Sequence, residues 1–351
     1  MIVLTTAFVT NHMNPVSVIA VDIASATHVV FDVRVADRIA PLGAANAIVD
    51  SDCLLVGPSR MSASEHALAR QAWWGSFVEP ISVDDKIGVV VVVWVSSTNL
   101  RERVGLWRVC GRLHESGIPR KDIVVVELDP PSRGLEARES AVPTWCSASE
   151  LGTIPARLSE ARPWTGERYR RAVRLWSQYT AADPRRLAQS CARGVEGFPE
   201  LVPLWALLSS FFPRRTADGA LRLSRFDELL MTILSAEWQT PLAVMSRDMR
   251  SGMDLWRMLS CTGDMFLPRR LEHWADHSLS AFVERAPGPK PPDAGYPMLS
   301  EVYRLTERGM RLRDKGLDQL TDAPSLPIAG TEAYSPSAPW VLLEDGRLAR
   351  L

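Results

Sequence analysis

The chain predicts an α/β fold, with a parallel sheet in its N-terminal half and a mostly helical C-terminal region. Three observations carry this. Ile87 to Val95 is an apolar, largely β-branched run with no polar alternation, the mark of a strand buried on both faces. It is followed by a helix and then a second buried run, Ile123 to Leu128, which makes a βαβ unit. From about Pro143 onward the apolar spacing turns helical and is punctuated by Gly and Pro.

The elements follow in order. Residues 1–26 form an N-terminal extension, with room for strands over Ile2–Thr5 and Val16–Asp22. Thr27–Asp32 reads as a short strand, Val35–Leu42 as a short helix stopped by Gly43, and Ala47–Val49 as a second strand. After the turn-rich Asp50–Arg60, Ser62 or Ser64 caps a helix to about Val78, with Leu68, Ala72, Trp73 and Phe77 on one face. The central helix has Asn99 as N-cap, with Glu102 placed to return a hydrogen bond to the cap. Leu100, Val104, Leu106, Trp107, Cys110 and Leu113 form its apolar face, and Gly117 its stop. The sheet domain is therefore a small Rossmann-like unit over residues 27–140, closed by Pro130-Pro131-Ser132-Arg133-Gly134.

Residues 141–222 read as a helical linker region with helices over 164–179, 184–193 and 199–212. In 223–320, Ser224-x-x-Asp227 is a capping box, Thr240-Pro241 opens a second helix, and a third follows Thr262-Gly263-Asp264. Strands over Ser280–Glu284 and Val302–Leu305, then a helix capped by Thr306, complete a winged-helix-like order. In that order Leu267–Leu279 takes the place of a recognition helix, and Arg269 and Arg270 are its candidate DNA contacts. The helix mixes Arg269 and Arg270 with Glu272 and Asp276, which favours a structural or dimerising module over a DNA reader. Residues 321–351 form a tail ending in a hairpin, with Asp345-Gly346 as a type I′ turn.

A net charge of −1 argues against a generally basic nucleic-acid surface. Of 40 basic residues only Lys86, Lys121, Lys290 and Lys315 are lysine, leaving 36 arginines. A GC-rich coding bias accounts for that, and guanidinium recognition of phosphate or carboxylate is the sharper alternative. The arginines of 164–179 (Arg168, Arg170, Arg171, Arg174) read as a solvated face or interdomain contact before an anion site. Five scattered cysteines without a CxxC read as reduced thiols of a cytoplasmic protein. The first 26 residues make a poor signal peptide, and no apolar run reaches membrane-spanning length.

In an open parallel sheet, ligands bind beyond the carboxyl ends of the strands. That places candidates at Asp32 and Arg34, at Asp50 and Asp52 with Gly57, Ser59 and Arg60, at Ser96 and Ser97 with Arg101, and at Asp129. The Ser96–Asn99 corner opens a helix, where free N–H groups and the dipole favour an anion. The alternative is that these residues are ordinary caps and turns. GxxxxGK[ST], GxGxxG and GxSxG are all missing, so no catalytic residue and no cofactor is assigned. His273 and His277 lie four apart, but Trp274 stands where HExxH needs glutamate, so they read as a surface pair and no metal is assigned. Trp73, Trp107, Trp176, Trp205 and Trp256 fall in apolar helical patterns and read as core.

The stretches THVVFDVRVADRI, DCLLVGPSR and VVVVWVSSTNLRERVGLWRVCGRL together resemble the bacterial family known as domain of unknown function 1835. SRFDELL, TGDMFLPRRL and VYRLTERG resemble the helical module that accompanies it, so the likeness spans roughly residues 27–350. The resemblance implies no established activity. Where that family has Gly-Asp-Ser after its first strand, this chain has Asp32-Val33-Arg34, which puts any function of that loop in doubt, while Asp52-x-Leu54-x-x-Gly57-Pro58 is intact. The expectation is a cytoplasmic protein whose α/β domain binds a small anionic ligand, nucleotide- or phosphate-like. A winged-helix DNA-binding or ligand-responsive regulator and a homo-oligomeric or partner-binding scaffold are the alternatives.

Overall fold

The computed structural model describes residues 26–31, 33–44, 47–49, 54–59, 63–74, 91–117, 123–128, 151–154, 157, 161–164, 166–277, 282–290, 297–335, 337 and 339–351. The chain divides into two compact units. Unit 1 takes Met1–Asp52, Pro80–Glu136 and Ser147–Ser177; unit 2 takes Cys53–Glu79, Ala137–Cys146 and Gln178–Leu351. This division differs from boundaries at 140, 222 and 320, because each unit interleaves segments distant in sequence. The expectations for residues 1–25 lie outside the described residues.

Unit 1 begins with β1 (Thr27–Val30), α1 (Val33–Ile39) and β2 (Ala47–Val49). The next two elements, β3 (Gly57–Pro58) and α2 (Ala63–Trp74), belong to unit 2. Unit 1 then continues with β4 (Val91–Ser96), α3 (Leu100–Glu115), β5 (Ile123–Leu128), β6 (Arg162–Pro163) and α4 (Gly166–Tyr179), whose last two residues pass into unit 2. The sheet order is β2-β1-β4-β5-β6. Four of these strands are parallel, and β6 closes the edge antiparallel to β5. All six residues of β4 are buried, as a strand covered on both faces requires.

Side chains alternate across a strand, so the two faces can be followed separately. Val30, Val92, Trp94, Val124, Val126 and Leu128 cluster with Val35 and Ile39 of α1. On the opposite face Arg103 of α3 bonds Glu127 at 3.0 Å, and Gly105 lies against the Phe31 ring. The sheet is thus wound on both sides. α3 is buried almost all round, because α4 covers its outer side. Tyr169 donates to the Cys110 carbonyl at 3.2 Å, and Trp176 packs so close to Gly111 that a Cβ there would stand 2.3 Å from its ring.

Unit 2 continues after α4 with α5 (Arg185–Arg193), α6 (Leu201–Ser209), β7 (Arg214–Arg215) and β8 (Leu221–Arg222). There follow α7 (Arg225–Ile233), α8 (Pro241–Ser251), α9 (Asp254–Thr262), α10 (Phe266–Asp276) and β9 (Val283–Pro287). The chain ends with α11 (Pro297–Ser300), β10 (Glu301–Leu305), α12 (Glu307–Lys315), β11 (Leu326–Ala329), β12 (Thr331–Ala333), β13 (Trp340–Leu343) and β14 (Leu348–Arg350). Four helices, not three, precede the antiparallel β9–β10 ribbon. Ser224 and Thr240 cap α7 and α8 as expected.

The tail is no appendage: β13 pairs with β14 and, in parallel, with β7. Its turn is not type I′, which needs two positive φ angles. Gly346 has φ 79°, and Asp345 is not among the positive-φ residues. β3 pairs in parallel with β11, so this stretch, from Cys53 onward, joins unit 2 and not the unit of the parallel sheet. Among the described side chains of α2, His66, Arg70 and Trp73 are buried, whereas Leu68 is 68% exposed and Ala72 exposed. The helix turns its polar Arg70 inward because Arg70 serves the Val56 carbonyl, at 2.5 Å.

Candidate functional site

The chain leaves β1 for β2 on one side of the sheet and, from β4, moves to β5 on the other. The order therefore reverses between β1 and β4, and a crevice beyond the carboxyl ends of those two strands is where such sheets take ligands. Two segments follow those strand ends: the start of α1, with Arg34 exposed, and the β4–α3 corner, with Ser97, Thr98 and Arg101 part-buried.

The corner is built by its own polar side chains. Asn99 accepts from the Arg101 and Glu102 amides at 3.1 and 3.4 Å. Glu102 does not return to the cap; its carboxylate takes the Ser96 amide at 2.6 Å. The Ser97 amide goes to the Leu128 carbonyl at 2.9 Å, and the Thr98 amide to Ser96 Oγ at 3.3 Å. The Ser97, Thr98, Arg101 and Glu102 amides are therefore engaged within the corner, and the Glu102 carboxylate is held by the Ser96 amide. Ser96 is buried and its Oγ is taken by the Thr98 amide, so it is engaged inside this network. What the corner still offers is side-chain chemistry. The Thr98 hydroxyl is shielded from solvent and has no hydrogen-bond partner among the described residues.

Gly57 and Ser59 are buried in unit 2, where the Ser59 amide bonds the Ala329 carbonyl at 2.6 Å. Gly57 has φ 81°, and a Cβ would stand 2.6 Å from the Arg70 guanidinium and 2.7 Å from the Trp73 ring, so packing alone demands glycine there. Asp32, Asp50, Asp52, Arg60 and Asp129 lie outside the described residues. Among the arginines of α4, Arg170 and Arg171 pair with Glu167, and Arg168 bridges to Glu127 at 3.4 Å above the Trp164 ring.

The candidate DNA contacts are corrected by their surroundings. Arg270 is fully buried and grips Asp227 with two bonds of 2.8 Å, while its remaining nitrogen serves the Pro324 carbonyl at 3.0 Å. Trp274 donates to the same carboxylate at 2.9 Å and Ser224 at 3.0 Å. Burial pushes the Asp227 carboxyl up, but the Arg270 charge and these hydrogen bonds outweigh it and hold it below the usual carboxylate range. Tyr334, which receives the Ser224 amide at 2.6 Å, has its phenol pushed well up by burial and by Asp227. Arg269 pairs with Glu272 and lies over Trp73. Glu272 and Asp276 are further bridged by Arg285 of β9 at 3.6 and 3.0 Å, so acidic partners and the ribbon occupy that face of α10.

The histidines of α10 diverge. His273 packs edge-on against Trp73, centroids 4.4 Å apart, and His277 Nε2 meets the Thr321 carbonyl at 2.9 Å. Burial, with Arg270 and Arg269 nearby, pulls the His273 pKa down to about 3. Cys110 and Cys191 are free and buried, burial pushing the Cys191 thiol up to about 12. Cys261 is disulfide-bonded, which corrects the expectation of five reduced thiols.

No helix among the described residues is long and apolar enough to cross a membrane. Comparison with family models, curated proteins and solved structures finds no match for this chain.

Proposed function

We propose that unit 1 binds a small anionic, nucleotide- or phosphate-like ligand in the crevice between the carboxyl ends of β1 and β4. The observation that carries this reading is the Thr98 hydroxyl, shielded from solvent and without a hydrogen-bond partner among the described residues, at the point where the strand order reverses. Ser97 and Thr98 would supply hydroxyl contacts, and Arg34 and Arg101 guanidinium charge from the first turns of α1 and α3. Because the Ser97, Thr98, Arg101 and Glu102 amides are engaged, side chains hold the ligand and the α3 dipole assists.

The test is a thermal-shift series with inorganic phosphate, ribose 5-phosphate, nucleoside mono- to triphosphates and short duplex DNA at low salt. A ligand at a hundred times its Kd adds about 2.7 kcal/mol to the unit that binds it. The expected result is a shift with at least one phosphate compound that Arg101→Ala and Ser97→Ala abolish, while Thr98→Val weakens the shift without lowering the melting temperature of the free protein. No shift with any phosphate, or one indifferent to these variants, refutes the reading. A salt-sensitive shift with duplex DNA alone would transfer function to the helices and ribbon of residues 225–315 in unit 2, and silence throughout to the scaffold alternative.

A further inference from the structure

We draw no further inference here: the strongest candidate, the Asp227–Arg270–Trp274–Tyr334 cluster between α7, α10 and the segment after β12, is sealed from solvent with its carboxylate and guanidinium held by each other and by backbone groups, so it belongs to the core already described and presents nothing to a ligand.

Discussion

Asp227→Ala is expected to be among the most damaging single changes in unit 2. The carboxylate is fully buried and accepts bonds from Arg270 Nε and Nη2, Trp274 Nε1 and Ser224 Oγ, all between 2.8 and 3.0 Å. Its removal strands a guanidinium with no water to solvate it, and breaking a buried pair in this way costs about 3–5 kcal/mol. In a unit of roughly 200 residues each kcal/mol lowers the melting temperature by about 2–4 °C, so a fall on the order of 6–20 °C follows. Asp227→Asn keeps the shape and loses the charge, and should resemble the alanine variant more than the parent. The double variant Asp227→Ala/Arg270→Met no longer leaves a lone charge, so it should lose at least about 1 kcal/mol less than the sum of the singles. Calorimetric and urea melts of the four proteins close the cycle. A single Asp227→Ala that costs under about 1 kcal/mol, or singles that simply add, would refute the idea that this pair anchors the unit. The pH dependence has a definite sign. The folded carboxyl titrates below its unfolded value near 3.8, so its contribution is fully present above that pH and disappears as pH falls through the folded pKa. Asp227→Asn should flatten that acid limb.

His273 predicts a second pH effect, opposite in chemistry to a salt bridge. With its folded pKa near 3 and its unfolded value near 6.5, the unfolded chain takes the proton first, so stability falls as pH drops below 6.5. Allowing for partial exposure, unit 2 should lose on the order of 1–2 kcal/mol between pH 7 and 5. In thermal melts at the two pH values His273→Phe should remove that difference, and an unchanged difference would exonerate the histidine. In unit 1, an exposed helical glycine gains about 1 kcal/mol on replacement by alanine. Gly111→Ala should instead cost about 1–3 kcal/mol, because its Cβ would meet the fully buried Trp176 ring at 2.3 Å. A raised urea midpoint for this variant would show that α4 yields.

The parallel sheet was legible because its signals are local. The unalternating run into β4, the Asn99 cap and the Gly117 stop are each set by neighbours a few residues away, and the structure places them where the spacing does. Errors arose wherever a distant partner decided the outcome. α2 buries Arg70 because Val56, fourteen residues before it, offers a carbonyl, and Leu68 is left outside. Arg270 looked like a phosphate contact, but it answers a carboxylate 43 residues earlier. The Ser224-x-x-Asp227 box was visible, yet nothing local says that its acid also carries an internal ion pair. The candidate crevice was half legible. Strand ends and Arg101 could be placed, but the diversion of Glu102 from its cap to Ser96 depends on a turn geometry that composition does not encode.

The assignment of residues 53–79 to unit 2 gives the last expectation its force. A boundary drawn from sequence would keep this stretch with the parallel sheet, and a fragment spanning 178–351 would then be a complete folding unit. The contacts argue otherwise. Tyr179 gives its hydroxyl hydrogen to the Leu54 carbonyl at 2.6 Å, β3 supplies one edge of the β11 pairing, and Trp73 lies between His273 and Arg269. Burying a ring of that size contributes about 1.5–3 kcal/mol, and its aromatic contact roughly another 0.5–1.5. A buried amide or carbonyl left without its partner costs about 1–3 kcal/mol more. Against a net stability of about 5–15 kcal/mol, losing all of these leaves little margin. The 178–351 fragment should therefore melt well below unit 2 in the whole chain and show early amide exchange in β11 and β12. Adding a peptide of residues 53–79 in trans should restore protection there. A fragment that melts and exchanges like the intact protein would mean that β3 and α2 are passengers on unit 2.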